Sequence, residues 1–308
     1  MNAADERAAM VALLRTGRRP WVEYAELVEE LGSATAALQQ ALQQQVAPGG
    51  QTSLLASDLT GADDPTNDLT DLTDQAAADL EHWDAQGMRL VTVLDPDYPP
   101  NLKAVHDRPP ILFIAGHITP NDAKGVAVVG ARKATEAGIE QAARIAAHLT
   151  NTGYTVVSGL AAGIDTAAHT SAVNNNGRTL AVIGTGLTRT YPPENYALQR
   201  EIAEQGAVIS QFWPDAPPTK RSFPMRNAVM SGIALATVVV EASETSGART
   251  QARLALAHGR PVFLTRTLVE RQPWAQQIAH GPGTHVADDP SEITDALERL
   301  ISPGSLVA

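Results

Sequence analysis

The stretch VVSGLAAGIDTAAHTSA, Val156–Ala172, decides the fold. Its first residues are apolar without alternation, as expected of a parallel strand buried on both faces. The chain turns at Gly159, passes Gly163 and enters an Ala-rich segment with the composition of a helix. Asp165 is placed to cap that helix, and His169, four residues on, shares its face. Strand, glycine turn and helix make one β–α unit.

The same unit recurs on either side. Strands are expected over Val126–Val129, Thr155–Val157, Leu180–Ile183, Ala207–Ser210, Val238–Glu241 and Pro261–Leu264. Between them, helices are expected over Glu136–Leu149, Ile164–Val173, Asn195–Glu204, Met225–Ala234 and Gly247–His258. Short apolar strands alternating with helices predict an α/β domain, a Rossmann-like doubly wound and mostly parallel sheet. Such sheets bind ligands beyond the carboxyl ends of their strands. Gly130, Gly159, Gly163, Gly184, Gly186 and Gly247 all fall there. Glycine lets a backbone approach a ligand closely, and helix N-termini offer N–H groups to an anion. A phosphate-bearing ligand would account for that clustering.

Each rim loop adds its own chemistry. In VAVVGARKATEAG (Val126–Gly138), Arg132 stands at the rim and can pair bidentately with a phosphate. In AVIGTGLTRTYPPEN, Asn195 is a candidate helix cap. In PPTKRSFPMRN, Lys220, Arg221 and Arg226 flank Phe223, with Asn227 as a hydrogen-bonding neighbour. Basic residues interleaved with an aromatic suit a nucleotide or a single strand. Ser246 and Gly247 open a helix where an anion can sit, and Glu241 is expected to orient a neighbouring arginine. No Ser or Cys completes a triad with Asp165 and His169, so no catalytic residue is assigned. HExxH, Walker A and CxxC are absent and the eight histidines are scattered. Neither a metal nor a cofactor is expected.

Composition narrows the class further. The chain has 308 residues, 44% of them hydrophobic but only 4% aromatic, so Ala, Val and Leu must fill the core. With no cysteine, disulfides and thiolate chemistry are excluded. MNAADERAAM lacks the apolar core of a signal peptide and no apolar run is long enough to span a membrane, so a cytoplasmic protein is expected. The net charge of −11 argues against nucleic acid until it is divided along the chain. Residues 1–95 carry −11, whereas residues 124–260 carry +4. The first segment reads as helical through AADERAAMVALLRTG and WVEYAELVEELGSATAALQQALQQQ, with breaks at Gly17 and Gly32. A polar connection follows, Asp-rich near 58–74, then a short helix over about Asp74–Ala85. RLVTVLDPDYPPNL and PPILFIAGHI each contribute a strand, and the β–α pattern takes over past residue 122.

Six ordered motifs resemble the DNA-processing protein A (DprA/Smf) family: VGAR (129–132), SGLAAGIDTAAH (158–169), IGTGL (183–187), YPPEN (191–195), FPMRN (223–227) and EASETSG (241–247). The resemblance implies a small helical, SAM-like domain over 1–85 with its acidic linker, and a Rossmann-like domain over 86–308 whose core is 124–265. It also implies a non-catalytic protein that binds single-stranded DNA, protects incoming strands and helps load the recombinase RecA in natural transformation, acting as a homodimer. Arg132 falls where the family places a DNA-binding arginine, beside Gly130 and Ala131. The pocket implied for it takes in Ser158, Gly159, Leu160, Gly163 and His169; Gly184, Gly186, Leu187 and Asn195; and Phe223, Arg226, Asn227, Ser246 and Gly247.

The sequence departs from the family pattern at several points. Ala131 stands where VGSR has serine, Pro193 and Glu194 where relatives often carry lysine, and Ala228 where arginine is usual. After GRPVF (259–263) the chain reads LTRTLVERQPWAQQIAHGPGTHV in place of a Pro-Gly loop. The alternative is a nucleotide sensor or hydrolase of the similar phosphoribohydrolase-like superfamily. There the catalytic glutamate of PGGxGTxxE is missing, since TSGARTQA places Gln251 and Ala252 in that region. A NAD-dependent oxidoreductase ranks last, for want of GxGxxG and of an acidic residue after the second strand.

Overall fold

The computed structural model of the chain describes residues 3–46, 65–287 and 289–301. The chain divides into two compact units, Met1–Tyr98 with Pro109–Leu112, and Pro99–Arg108 with Phe113–Ala308.

The first unit is helical: α1 (Ala3–Arg15), α2 (Trp21–Leu31), α3 (Ala34–Val46) and α4 (Pro65–Ala85), followed by strand β1 (Met88–Thr92). Helix α1 is its centre, buried continuously from Ala8 to Leu14, with α3 and α4 packed on it. Gly32 ends α2 in the left-handed conformation, at φ 64°. The Glu6 carboxylate accepts from the Ser33 hydroxyl at 2.8 Å and from the Ala34 N–H at 2.5 Å, tying α1 to the start of α3. The Asp95 carboxylate is nearly buried. Burial alone would raise its pKa, but the forked Arg7 guanidinium, 2.8 Å away, and the Thr92 N–H and hydroxyl hold it below the usual carboxylate range.

The breaks expected at Gly17 and Gly32 are observed. Helix α4 differs, beginning at Pro65 instead of near Asp74. Proline at a first helical turn costs no hydrogen bond, and Leu69, Leu72, Ala76 and Leu80 continue the helical spacing. The C-terminal part of the expected Asp-rich linker is therefore helix, and its residues 58–64 lie outside the described residues.

The second unit holds α5 (Pro100–Lys103) and most of β2 (Ile111–Gly116), then β3 (Gly125–Val129), α6 (Glu136–Asn151), β4 (Thr155–Ser158), α7 (Ile164–Asn174) and β5 (Thr179–Val182). It continues through α8 (Tyr196–Gln205), β6 (Ala207–Ser210), α9 (Ser222–Ile233), β7 (Ala236–Val239), α10 (Gly247–Ala257) and β8 (Val262–Leu264). It closes with α11 (Arg266–Arg271), α12 (Pro273–Ile278), β9 (Thr284–Val286) and α13 (Pro290–Ile301). Its strands run in the order β2-β6-β5-β4-β3-β7-β8-β9. All pairings are parallel except that of β2 with β6.

Every residue of β3 is buried, which is why its sequence does not alternate. Val126 and Val128 join a core with Ile145 and Leu149 of α6, Ile164 of α7 and Ile293 and Leu297 of α13. Helices α9 and α10 pack elsewhere on the sheet, against β3, β5, β7 and β8. The chain builds outward from β3 through β4, β5 and β6, then returns to the other side of β3 with β7. That reversal between β3 and β7 is the topological switch point, where a doubly wound sheet leaves a crevice between loops that diverge to opposite faces.

Candidate functional site

A cleft of about 780 Å³ opens at that switch point. The loop after β3 (Gly130–Lys133) and the loop after β7 (Val240–Ser246) form two of its walls. The starts of α9 and α10 and the segment around α11 supply the rest, through Phe223, Asn227, Gly247, Thr267 and Arg271.

Its entrance is a cation set on aromatic rings. The exposed Arg132 guanidinium lies 4.9 Å from the Phe223 ring centroid and 6.0 Å from that of Tyr191. The two rings are themselves 5.6 Å apart, and Tyr191 is 42% exposed. Phe223 is seated because Gly184 behind it lacks a side chain; a Cβ there would come within 2.9 Å of the ring. The cluster thus draws on the loops after β3 and β5 and on the first turn of α9. It presents planar stacking surface beside a fixed positive charge.

On the opposite wall, Ser246 caps α10 by accepting from the Ala248 N–H at 3.2 Å. Asn227 donates to the Gly247 carbonyl at 3.2 Å, linking α9 to that helix start. Gly247 has nothing within 4 Å of where a Cβ would stand. The N-terminus of α10 is therefore open on the cleft side, where its dipole favours an anion.

The floor holds two buried side chains of opposite charge, Asp165 and Arg226. Asp165 accepts from the Gly159 N–H at 3.1 Å and the Ala161 N–H at 3.4 Å. Burial pushes its pKa up, against Arg226 and the N–H groups of Ala161, Gly159 and Gly130, which favour the carboxylate. Arg226 is only 6% exposed and donates to the Val182 carbonyl at 3.0 Å, with burial pushing its own pKa down.

These contacts correct several expectations. Gly163, not Asp165, occupies the cap position of α7, and Asp165 instead holds the loop before that helix. Asn195 stands at the start of α8 but does not cap it; its amide reaches the Leu160 carbonyl and the Thr166 hydroxyl, each at 2.9 Å. Glu241 is paired with no arginine among the described residues and accepts from the Thr135 N–H and hydroxyl, the latter at 2.8 Å. Arg226 is a floor residue, not part of an exposed basic loop.

The glycines, too, are explained mostly by protein neighbours. A Cβ on Gly163, whose φ is 81°, would meet the Ala131 carbonyl. One on Gly159 would overlap the Arg226 guanidinium, one on Gly130 would strike Ile164, and one on Gly186 the carbonyls of Trp213 and Pro214. Of the glycines read from sequence as ligand-facing, Gly247 alone has open space.

Of the expected site residues, Gly130, Ala131, Arg132, Phe223, Arg226, Asn227, Ser246 and Gly247 line the cleft. Ser158, Gly159, Leu160, Gly163, His169, Gly184, Gly186, Leu187 and Asn195 do not line it. Several of them support it from behind: Ser158 donates to the Val128 carbonyl at 2.7 Å. Lys133, Thr135, Gln141, Thr267 and Arg271 line the cleft without having been expected. Thr267 and Arg271 follow GRPVF, where the motif pattern stops, and only the pairing of β8 beside β7 brings them round.

His169 is fully buried, with Nδ1 2.7 Å from the Thr179 hydroxyl. Burial lowers its pKa to about 3, the Ser158 backbone opposing. A histidine neutral in the fold but protonated when unfolded destabilises as pH falls below its ordinary value of about 6.5. The sign is therefore fixed: the unfolded state binds more protons, and stability rises with pH through this window. About 2 kcal/mol should be lost from this group between pH 7 and pH 5. Urea unfolding at both pH values measures it, and a His169→Gln variant that is folded at pH 7 should show that much less pH dependence.

The comparisons with known proteins agree with this architecture. The family model of DNA recombination-mediator protein A matches residues 89–298. The Smf protein of Synechocystis is 39% identical over 188 residues, which are 60% of this chain and 47% of that protein. The DNA processing protein DprA of Streptococcus pneumoniae is 40% identical over 172 residues, 56% of this chain and 61% of its own length. The matched region thus spans about half to three-fifths of these curated relatives. The X-ray structure of DNA processing protein A from Streptococcus pneumoniae superposes with a TM-score of 0.62 at 30% identity, over 83% of this chain and 92% of that one. A Helicobacter pylori structure, described for its single-stranded DNA binding mode, shares the fold with a TM-score of 0.60 at 23% identity, covering 68% of this chain and 96% of its own. With a family model matched over most of its length, an α/β sheet of the same architecture and the six motifs in order along it, the chain belongs to the DNA recombination-mediator protein A family.

Proposed function

We propose that this protein binds single-stranded DNA at the switch-point cleft, without catalysing a reaction on it, and so protects the strand and hands it to a RecA-type recombinase. The observation that carries this reading is Arg132 set over Phe223 and beside Tyr191. Unpaired bases stack on aromatic rings whatever their sequence. Phosphates pair with a guanidinium and with helix N-termini, and the cleft presents both within one wall-to-wall span. A duplex keeps its bases stacked inside and gains nothing from the rings. The homodimer and the hand-over to the recombinase rest on family membership.

The test is fluorescence anisotropy of a labelled oligo-dT against the matching duplex, across a salt series. Preferential binding of the single strand is expected, with log affinity falling by about 0.7 per log unit of salt for each phosphate engaged. Phe223→Ala should weaken the single strand roughly tenfold and leave the duplex unchanged, since base–aromatic stacking contributes about 1–3 kcal/mol. Equal affinity for duplex and single strand, or no binding at low salt, would refute the proposal. The second reading, a mononucleotide sensor, is favoured by the deep polar floor at Asp165 and Arg226. It predicts that AMP binds tightly on its own and displaces the oligonucleotide.

A further inference from the structure

Away from the cleft, in the same unit, three potential metal ligands converge. Among the described residues, His106, Asp107 and His258 place one ligating atom each within 4.8 Å of the others. His106 and Asp107 follow α5, and His258 ends α10; 151 positions separate Asp107 from His258. No spacing motif could link them, and the sequence reading accordingly expects no metal.

The hydrogen bonding around His258 makes this more than a chance meeting. The Ser231 hydroxyl donates to the Ala228 carbonyl at 3.0 Å. The same hydroxyl lies 2.9 Å from Nδ1 of His258. Nε2 of the same ring lies 2.8 Å from Oδ1 of Asp107. The ring is thus held at both nitrogens, with Nε2 aimed at the Asp107 carboxylate. The His258 side chain is 0% exposed and fixed from behind by Ser231, an outer-shell arrangement like that which orients metal-binding histidines. His106 stands edge-on to it at 5.5 Å between centroids, and it is exposed.

We infer that His106, Asp107 and His258 bind one divalent cation of the zinc class, pinning the Pro99–Arg108 segment to the end of α10. Two imidazoles and one carboxylate suit Zn²⁺, which takes N and O donors tetrahedrally, and do not suit Mg²⁺ or Ca²⁺, which require oxygen. Tetrahedral Zn²⁺ at about 2.1 Å from each donor sets the donors roughly 3.4 Å apart. The exposed His106 ring closes the remaining distance, and a water takes the fourth position. The chain has no cysteine to compete for the ion.

The experiment is a titration of the tag-free full chain with Zn²⁺ against a chromophoric chelator, with Co²⁺ absorption to report tetrahedral geometry. One ion per chain is expected. His106→Ala and Asp107→Asn should each weaken binding at least tenfold. Ser231→Ala, which leaves all three ligating side chains in place but removes the contact behind His258, should weaken it about tenfold or more. His106 is exposed, so its variant is expected to unfold in urea with EDTA as the parent does, which separates lost binding from lost fold. No uptake at micromolar Zn²⁺ would overturn the inference and leave the His258–Asp107 contact as a plain hydrogen bond. Uptake unchanged in both ligand variants would overturn it equally, by placing the ion elsewhere.

Discussion

Asp165→Ala is expected to cost about 3–5 kcal/mol of folding stability, the range for breaking a buried charge pair by removing one partner. Arg226 is 94% buried by its 6% exposure, and an arginine in a protein does not give up its proton. Without Asp165 its charge is left facing the Val182 carbonyl and little else that is negative. The N–H groups of Gly159 and Ala161 lose their acceptor as well. Asp165→Asn separates the two contributions: it keeps an oxygen for the loop but drops the charge, and should fall nearer to the alanine variant if the charge dominates. The double variant Asp165→Ala/Arg226→Met should recover much of the loss, because an apolar side chain of similar length leaves no orphaned charge. Urea unfolding at pH 7 gives all three values. A double variant no more stable than the single one would mean that the N–H groups, and not the arginine, are what Asp165 serves.

That result bears on what can be read from residues alone. The strands and helices from Gly125 to Leu264 lie within a few residues of where apolar runs and helical spacing put them, because a strand buried on both faces has nothing but apolar residues to show. Chemistry at the rim was legible for Arg132 and Phe223, whose types are unusual at those positions. What was not legible is which face of a loop a residue serves. SGLAAGID reads as a ligand loop, yet its glycines make room for Arg226, Ala131 and Arg132, and its aspartate turns back on its own backbone. A close approach between loops after two different strands leaves the same glycines in the sequence as a close approach to a phosphate does. Strand β9 and helices α11–α13 were missed because they follow the last motif, although Ile293, Ala296, Leu297 and Leu300 of α13 do recur at helical spacing. Thr267 and Arg271 went unassigned with them, although both line the cleft.

Arg132→Ala should lower affinity for oligo-dT by about tenfold to a hundredfold. A charge-assisted hydrogen bond to a phosphate contributes about 1.5–3 kcal/mol, and tenfold in affinity is about 1.4 kcal/mol. Stability should hardly change, because the guanidinium is exposed and its contacts here are the faces of Phe223 and Tyr191. The slope of log affinity against log salt should flatten by about 0.7, the loss of one phosphate contact on a single strand. Arg132→Lys tests the geometry of the entrance. Lysine restores the charge and with it the salt slope, but an ammonium has neither the planar face that stacks on Phe223 nor the fork that meets two phosphate oxygens. Affinity should therefore recover only in part, while the salt slope recovers fully. If lysine restores both, Arg132 acts as a point charge and the aromatic pair below it holds bases independently; if it restores neither, Arg132 is not where the backbone lies, and the strand must follow the other wall, along Ser246 and Gly247 at the open end of α10.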